Sequence, residues 1–150
     1  MLHRSKIIDA VYCIHFAGFT HGDLSLGNIL SKDGTPFIID LETAKPHVCG
    51  MKEKIFIGED RRNVGCPEMM RCAALVQAWA KLNVKLNGLY TFLRMDLRPG
   101  NINYLLSLLI HRSHDTSKYR PQVEKLVEEI EAERDVFRRI PREERLIVPE

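Results

Sequence analysis

The chain has 150 residues, 45% hydrophobic and 28% charged, an ordinary globular composition that can bury about 68–70% of the surface its unfolded form exposes. With 22 basic and 20 acidic residues the net charge is only +2, which lacks the basic footprint of a nucleic-acid binder. No apolar run reaches the length of a membrane span and no basic-then-apolar leader opens the chain, so a membrane partner is not expected and the cytoplasm, or the nucleus, is the expected location.

Ile7, Ile8, Val11, Tyr12, Ile14 and His15 recur at amphipathic-helix spacing, and Gly18 stands where that helix should stop. Next comes His21-Gly22-Asp23-Leu24-Ser25-Leu26-Gly27-Asn28-Ile29-Leu30. Asn28 to Ser31 and Pro36 to Asp40 are short apolar runs flanking Lys32-Asp33-Gly34-Thr35, which predicts a β-hairpin with Gly34 accepting positive φ. Such a hairpin brings Asn28 and Asp40 together. Pro67 and Glu68 suit a helix start. The stripe Met69, Cys72, Leu75, Val76, Trp79, Ala80 and Leu82 predicts a helix from Glu68 to Leu86, broken by Asn87-Gly88. Asn101 to Arg112 follows Arg98-Pro99-Gly100 and is apolar nearly all round, as a helix at the centre of the fold should be. The last helix begins near Pro121, with Val123, Leu126, Val127, Ile130, Val136 and Phe137 as its apolar stripe, and ends at Pro141. Cys13, Cys49, Cys66 and Cys72 contain no C-x-x-C pair and read as free thiols in a reducing compartment. His111, His114 and Asp115 read as a polar exit from a helix rather than as metal ligands.

The chemistry concentrates between His21 and Glu42. Asp23 and Asn28 are five positions apart, and Asp40 comes twelve later, in Phe37-Ile38-Ile39-Asp40-Leu41-Glu42. Phosphoryl transfer from ATP needs magnesium held against the phosphates and a carboxylate that orients the acceptor hydroxyl and takes its proton. Magnesium prefers oxygen ligands, so the Asn28 amide oxygen and the Asp40 carboxylate suit it. Asp23 remains to face the acceptor. Two carboxylates about 6 Å apart at an effective dielectric of about 20 repel by about 3 kcal/mol, which a divalent cation offsets.

These residues resemble the protein-kinase-like superfamily, matching H-x-D-L-x-x-x-N-I-L and then I-I-D. The resemblance implies that Asp23 is the catalytic base and that Asn28 and Asp40 bind magnesium. It also implies that Ser25, standing where protein kinases carry a lysine, lies with Asn28 and Asp40 at the cofactor. Gly22 replaces the arginine of typical protein kinases, and Leu41-Glu42 replaces Phe-Gly. H-G-D-L with I-I-D-L-E is therefore more similar to the aminoglycoside and choline phosphotransferase branch, or to kinase-like proteins abundant in fungi. Gly65-Cys66-Pro67-Glu68 is similar to the A-P-E motif that closes a kinase activation segment. The resemblance is specific over residues 1–44 and weak beyond about residue 70.

No glycine-rich loop and no strand lysine precede His21. The expected fold is mainly α with a small β-hairpin, a kinase-like C-terminal lobe lacking the N-terminal β-rich lobe. That lobe would span residues 1–140, with the catalytic loop at 21–30, the metal-binding strand end at 37–42 and a helical remainder at 68–140. Residues 141–150 would be a loose C-terminus. The expected function is that of a fragment of an ATP-dependent phosphotransferase, using Mg2+ and ATP only when completed by an N-terminal lobe. Its acceptor would be a protein or a small molecule. The alternatives are an inactive kinase-like pseudoenzyme, or pseudokinase, and a helical binding module.

Overall fold

The computed structural model describes residues 3–109 and 115–147. It is mainly α-helical with small antiparallel sheets. No helix among the described residues is long and apolar enough to cross a membrane. The chain forms two compact units: one runs to Ala80 and resumes at Ile140, and the other is Lys81–Arg139.

In the first unit, α1 (Arg4–Phe16) buries Ile7, Ile8, Val11 and His15. Its end is closed by the amides of Ala17 and Gly18, which donate to the carbonyls of Cys13 and His15 at 3.0 Å each. Gly18 takes φ +89°, the left-handed conformation that lets the chain leave the helix. β1 (Phe19–Thr20) pairs antiparallel with β4 (Lys45–Pro46). Between them, β2 (Ile29–Lys32) and β3 (Thr35–Ile38) form the predicted hairpin, with Ile29 opposite Ile38 and Lys32 opposite Thr35. Asp33 and Gly34 both have positive φ, as a two-residue hairpin turn requires. α2 (Pro67–Leu75) buries Met69, Cys72 and Ala73 in one core with Val11 and Ile8. Each large apolar side chain there contributes about 1.5–3 kcal/mol on burial.

The helix predicted over 68–86 stops at Leu75. Gln77 adopts φ +53°, and the Ala78 amide turns back to the Ala73 carbonyl at 2.8 Å. The second unit then opens with another hairpin. β5 (Asn83–Leu86) and β6 (Tyr90–Leu93) pair with Leu86 opposite Tyr90 and Val84 opposite Phe92. Asn87-Gly88 is its turn rather than a helix breaker, since Asn-Gly flanked by alternating apolar residues is a hairpin signal.

α3 (Ile102–Ser107) is shorter than the helix expected over 101–112. Residues 110–112 of that expectation lie outside the described residues. Leu105, Leu106 and Leu109 are buried, whereas Tyr104 and Leu108 are exposed, so one face rather than the whole circumference is buried. α4 (Arg120–Arg138) buries Val123, Val127 and Ile130 on its predicted stripe. The buried Arg134 guanidinium donates to the carbonyls of Leu97 and Arg94 at 2.6 Å each, tying α4 to the segment after β6.

Of residues 141–150, expected as a loose C-terminus, the described part extends to Ile147. α5 (Arg142–Arg145) is a single turn, after which the chain rejoins the first unit. The Lys54 amide donates to the Arg145 carbonyl at 2.7 Å, and the Ile147 amide donates to that of Lys52 at 3.2 Å. An isolated antiparallel bridge links Glu53 with Leu146.

Candidate functional site

The segment from His21 to Asp40 is held by three anchoring side chains. His21 is fully buried, and its Nε2 donates to the Ile39 carbonyl at 2.8 Å while its Nδ1 accepts the Asp23 amide at 3.2 Å. One imidazole thus ties the start of the loop to the residue before Asp40. Its bonding fixes the tautomer, because the carbonyl can only accept and the amide can only donate.

Glu68 is the second anchor. Its carboxylate accepts the amides of His21 and Gly22 at 2.8 Å each, and His15 Nε2 lies 2.6 Å away. Burial pushes this carboxyl up. Hydrogen bonds from the Thr20 side chain, the two amides and His15 outweigh it and hold the group at about 2. Burial also holds the His15 imidazole below its usual value, against the pull of Glu68. At neutral pH this contact is therefore a neutral imidazole donating to a carboxylate, with Nε2 protonated and Nδ1 left as an acceptor.

Thr43 is the third anchor, its hydroxyl donating to the His21 carbonyl at 2.9 Å. Gly22 has φ +86°, and a Cβ there would lie 2.5 Å from the Thr43 carbonyl oxygen. Glycine at this position is a steric requirement of the loop.

Hydrogen bonds link Asp23, Ser25 and Asn28 to one another and Asn28 to the residue before Asp40. The Asn28 amide nitrogen donates to the Asp23 carbonyl at 2.9 Å, which leaves its oxygen as the available acceptor. The Asn28 carbonyl in turn accepts the Ile39 amide at 2.9 Å, one residue before Asp40. The hairpin therefore sets Asn28 across from the strand end that carries Asp40. Asp40 is exposed and left-handed, at φ 62° and ψ 62°, a conformation aspartate tolerates better than most side chains. Asp23 is exposed, and Ser25 is half-buried, with its carbonyl accepting the Asn28 amide at 3.1 Å. A groove of about 640 Å³ elsewhere in this unit is lined by Asp9, Tyr12, Phe16, Lys54 and Phe56 among others, and by none of Asp23, Ser25, Asn28 or Asp40.

A second cluster has no counterpart in the sequence reading. His15 Nδ1 and His47 Nε2 lie 3.5 and 3.6 Å from Cys66 Sγ. With Cys49, these residues present four ligand atoms all within 4.8 Å of one another. The thiols are free of disulfides, as expected. Burial pushes the Cys49 thiol up, with Cys66 beside it adding to the shift. The buried Cys72 thiol, pushed up to about 12 chiefly by burial, lies outside the cluster. The four residues come from the end of α1, the chain after β4 and the start of α2, and only His47 and Cys49, two positions apart, share a short spacing. Of the polar group at the end of the 101–112 segment, His111 and His114 lie outside the described residues. Asp115 accepts the Ser117 amide at 3.0 Å in a local turn.

Comparison with family models, curated proteins and solved structures finds no match to this chain.

Proposed function

We propose that residues 21–42 are the catalytic loop and metal-binding turn of a protein-kinase-like, ATP-dependent phosphotransferase, of which this chain is a fragment. The supporting observation is the Asn28 side chain, whose nitrogen is engaged by the Asp23 carbonyl while its backbone pairs with the residue before Asp40. In this reading Asn28 and Asp40 hold Mg2+, Ser25 faces the nucleotide, and Asp23 orients the hydroxyl of a protein or small-molecule acceptor and takes its proton. Bound magnesium would neutralise phosphate charge. The glutamate, histidine and threonine anchors keep Asp23 in register with the strand end. Transfer in this reading also needs groups that cover and hold the nucleotide phosphates.

The metal half of the reading is testable on the chain itself. Titrated Mn2+ is expected to broaden the amide resonances of Asp23, Asn28 and Asp40 selectively, and Asp40→Asn to remove the effect. Unchanged resonances in the wild type would instead favour a kinase-like binding module without catalysis. In a protein that also carries the nucleotide-covering lobe, Asp23→Asn is expected to lower kcat by about 100-fold or more. Transfer that survives this change would refute the role of Asp23.

A further inference from the structure

We propose that His15, His47, Cys49 and Cys66 form a closed, tetrahedral zinc site. The inference stands independently of the phosphotransfer reading. Zinc bonds of about 2.3 Å to sulfur and 2.0–2.1 Å to nitrogen, arranged tetrahedrally, give ligand-to-ligand edges of roughly 3.3–3.8 Å. The two sulfur-to-nitrogen edges at Cys66 are 3.5 and 3.6 Å. Two thiolates and two imidazoles are the donor set that selects zinc among the common divalent ions. Two thiolates also cancel the charge of Zn2+, so the complex can sit where His15 and Cys66 are almost wholly buried without the cost of an isolated ion.

The surroundings are built for such a site. Glu68 occupies His15 Nε2 and leaves Nδ1 facing Cys66, the carboxylate–histidine relay that orients zinc-bound imidazoles in general. His47 is placed by its amide, which donates to the Gly18 carbonyl at 2.8 Å just beyond α1. The two cysteines are brought together by the glycines beside them. A Cβ on Gly50 would lie 2.7 Å from the Gly65 carbonyl oxygen, and a Cβ on Gly65 would lie 2.7 Å from that of Gly50. Only glycine at both positions permits this approach of Cys49-Gly50 to Gly65-Cys66. Cys66 also stands at the N-cap position immediately before α2, so the helix start fixes where its sulfur lies. With four protein ligands and no open position the ion would be structural. It would fasten α1, the chain after β4 and α2 around the loop that Glu68 holds.

The test uses the full chain, produced without a histidine tag. After dialysis into metal-free buffer it is expected to retain one zinc per chain by atomic emission, with a Kd of about 50 nM or tighter. Replacement by Co2+ should give tetrahedral ligand-field bands with thiolate-to-metal charge transfer. Zinc should also protect the half-buried Cys49 from alkylation. Cys49→Ser and His47→Ala should lose the metal, Glu68→Gln should weaken it by about 10–100-fold, and Cys13→Ser should retain it. Should the ligand variants fail to fold, the cobalt spectrum and the Cys49 protection of the wild type decide the matter alone. Metal-free protein that takes up Co2+ without charge transfer, or Cys49 alkylated equally with and without zinc, would overturn the site and leave a thiol–imidazole hydrogen-bond network.

Discussion

Gly22 and Gly34 both hold positive φ, at +86° and +75°, yet they meet different surroundings. A methyl group on Gly22 would strike the Thr43 carbonyl, whereas nothing lies within 4 Å of the corresponding position on Gly34. Gly34→Ala should therefore cost only the left-handed backbone penalty of about 1–2 kcal/mol. Gly22→Ala adds a backbone collision and loosens the amide that Glu68 holds, so it should cost about 3 kcal/mol or more. Urea unfolding of the two variants measures the difference, and equal losses would contradict the tight packing of the loop. The same collision excludes any side chain at position 22, a steric demand that the sequence does not announce. The pairing of Asn28 with the strand end that carries Asp40 was legible because both lie within one loop and one hairpin. Glu68 registers in the sequence as helix-start chemistry and as part of an A-P-E-like run, but its contact with Gly22 does not, since that partner stands 46 positions earlier in the chain. The His15, His47, Cys49 and Cys66 cluster was not read for the same reason, as the short His47–Cys49 spacing gains meaning only when tertiary packing brings His15 and Cys66 to it.

Among the elements, α1, the β2–β3 hairpin and α4 follow their apolar periodicity, and each has a clear stop signal in Gly18, Asp33-Gly34 or Pro141. The region after Leu75 misled because Val76, Trp79 and Ala80 continue a helical spacing, while Val84, Leu86, Tyr90 and Phe92 alternate about Asn87-Gly88. Turn chemistry decides in favour of the hairpin. In α4, stability should depend on pH through Glu131. The Arg134 guanidinium, with Arg138 beside it, holds the Glu131 carboxyl below its ordinary value of 4.5. A depressed carboxyl contributes stability that is fully present above the unfolded value and is lost as pH falls through the folded one. Thermal melts monitored by helix circular dichroism should thus show the wild type losing its advantage over Glu131→Gln below about pH 4.5. Parallel Tm curves from about pH 6 to about pH 3 would show that the guanidinium contact contributes nothing.

At the scale of the whole chain, two separate cores imply two reporters. One core gathers Val11, Met69, Cys72 and Ala73 with Trp79 packed against it, and the other gathers Leu97, Leu105, Val123 and Val127. Trp79 is the single tryptophan, so its fluorescence tracks the first unit alone. The 19-residue α4 dominates the helical signal of the second. All four proposed zinc ligands lie in the first unit. An ion that binds only the folded form stabilises it by RT ln(1 + [L]/Kd), about 4 kcal/mol at a thousandfold excess over Kd. A strong chelator should therefore lower the Trp79 fluorescence midpoint by roughly 10 °C or more. Amide exchange should quicken through α1, β1 and α2, while protection at Val123, Val127 and Ile130 in α4 should stay as it was. If α4 loses protection in step with α1, the two units unfold as one cooperative body. If neither responds to chelation, the thiols and imidazoles hold the first unit together without an ion.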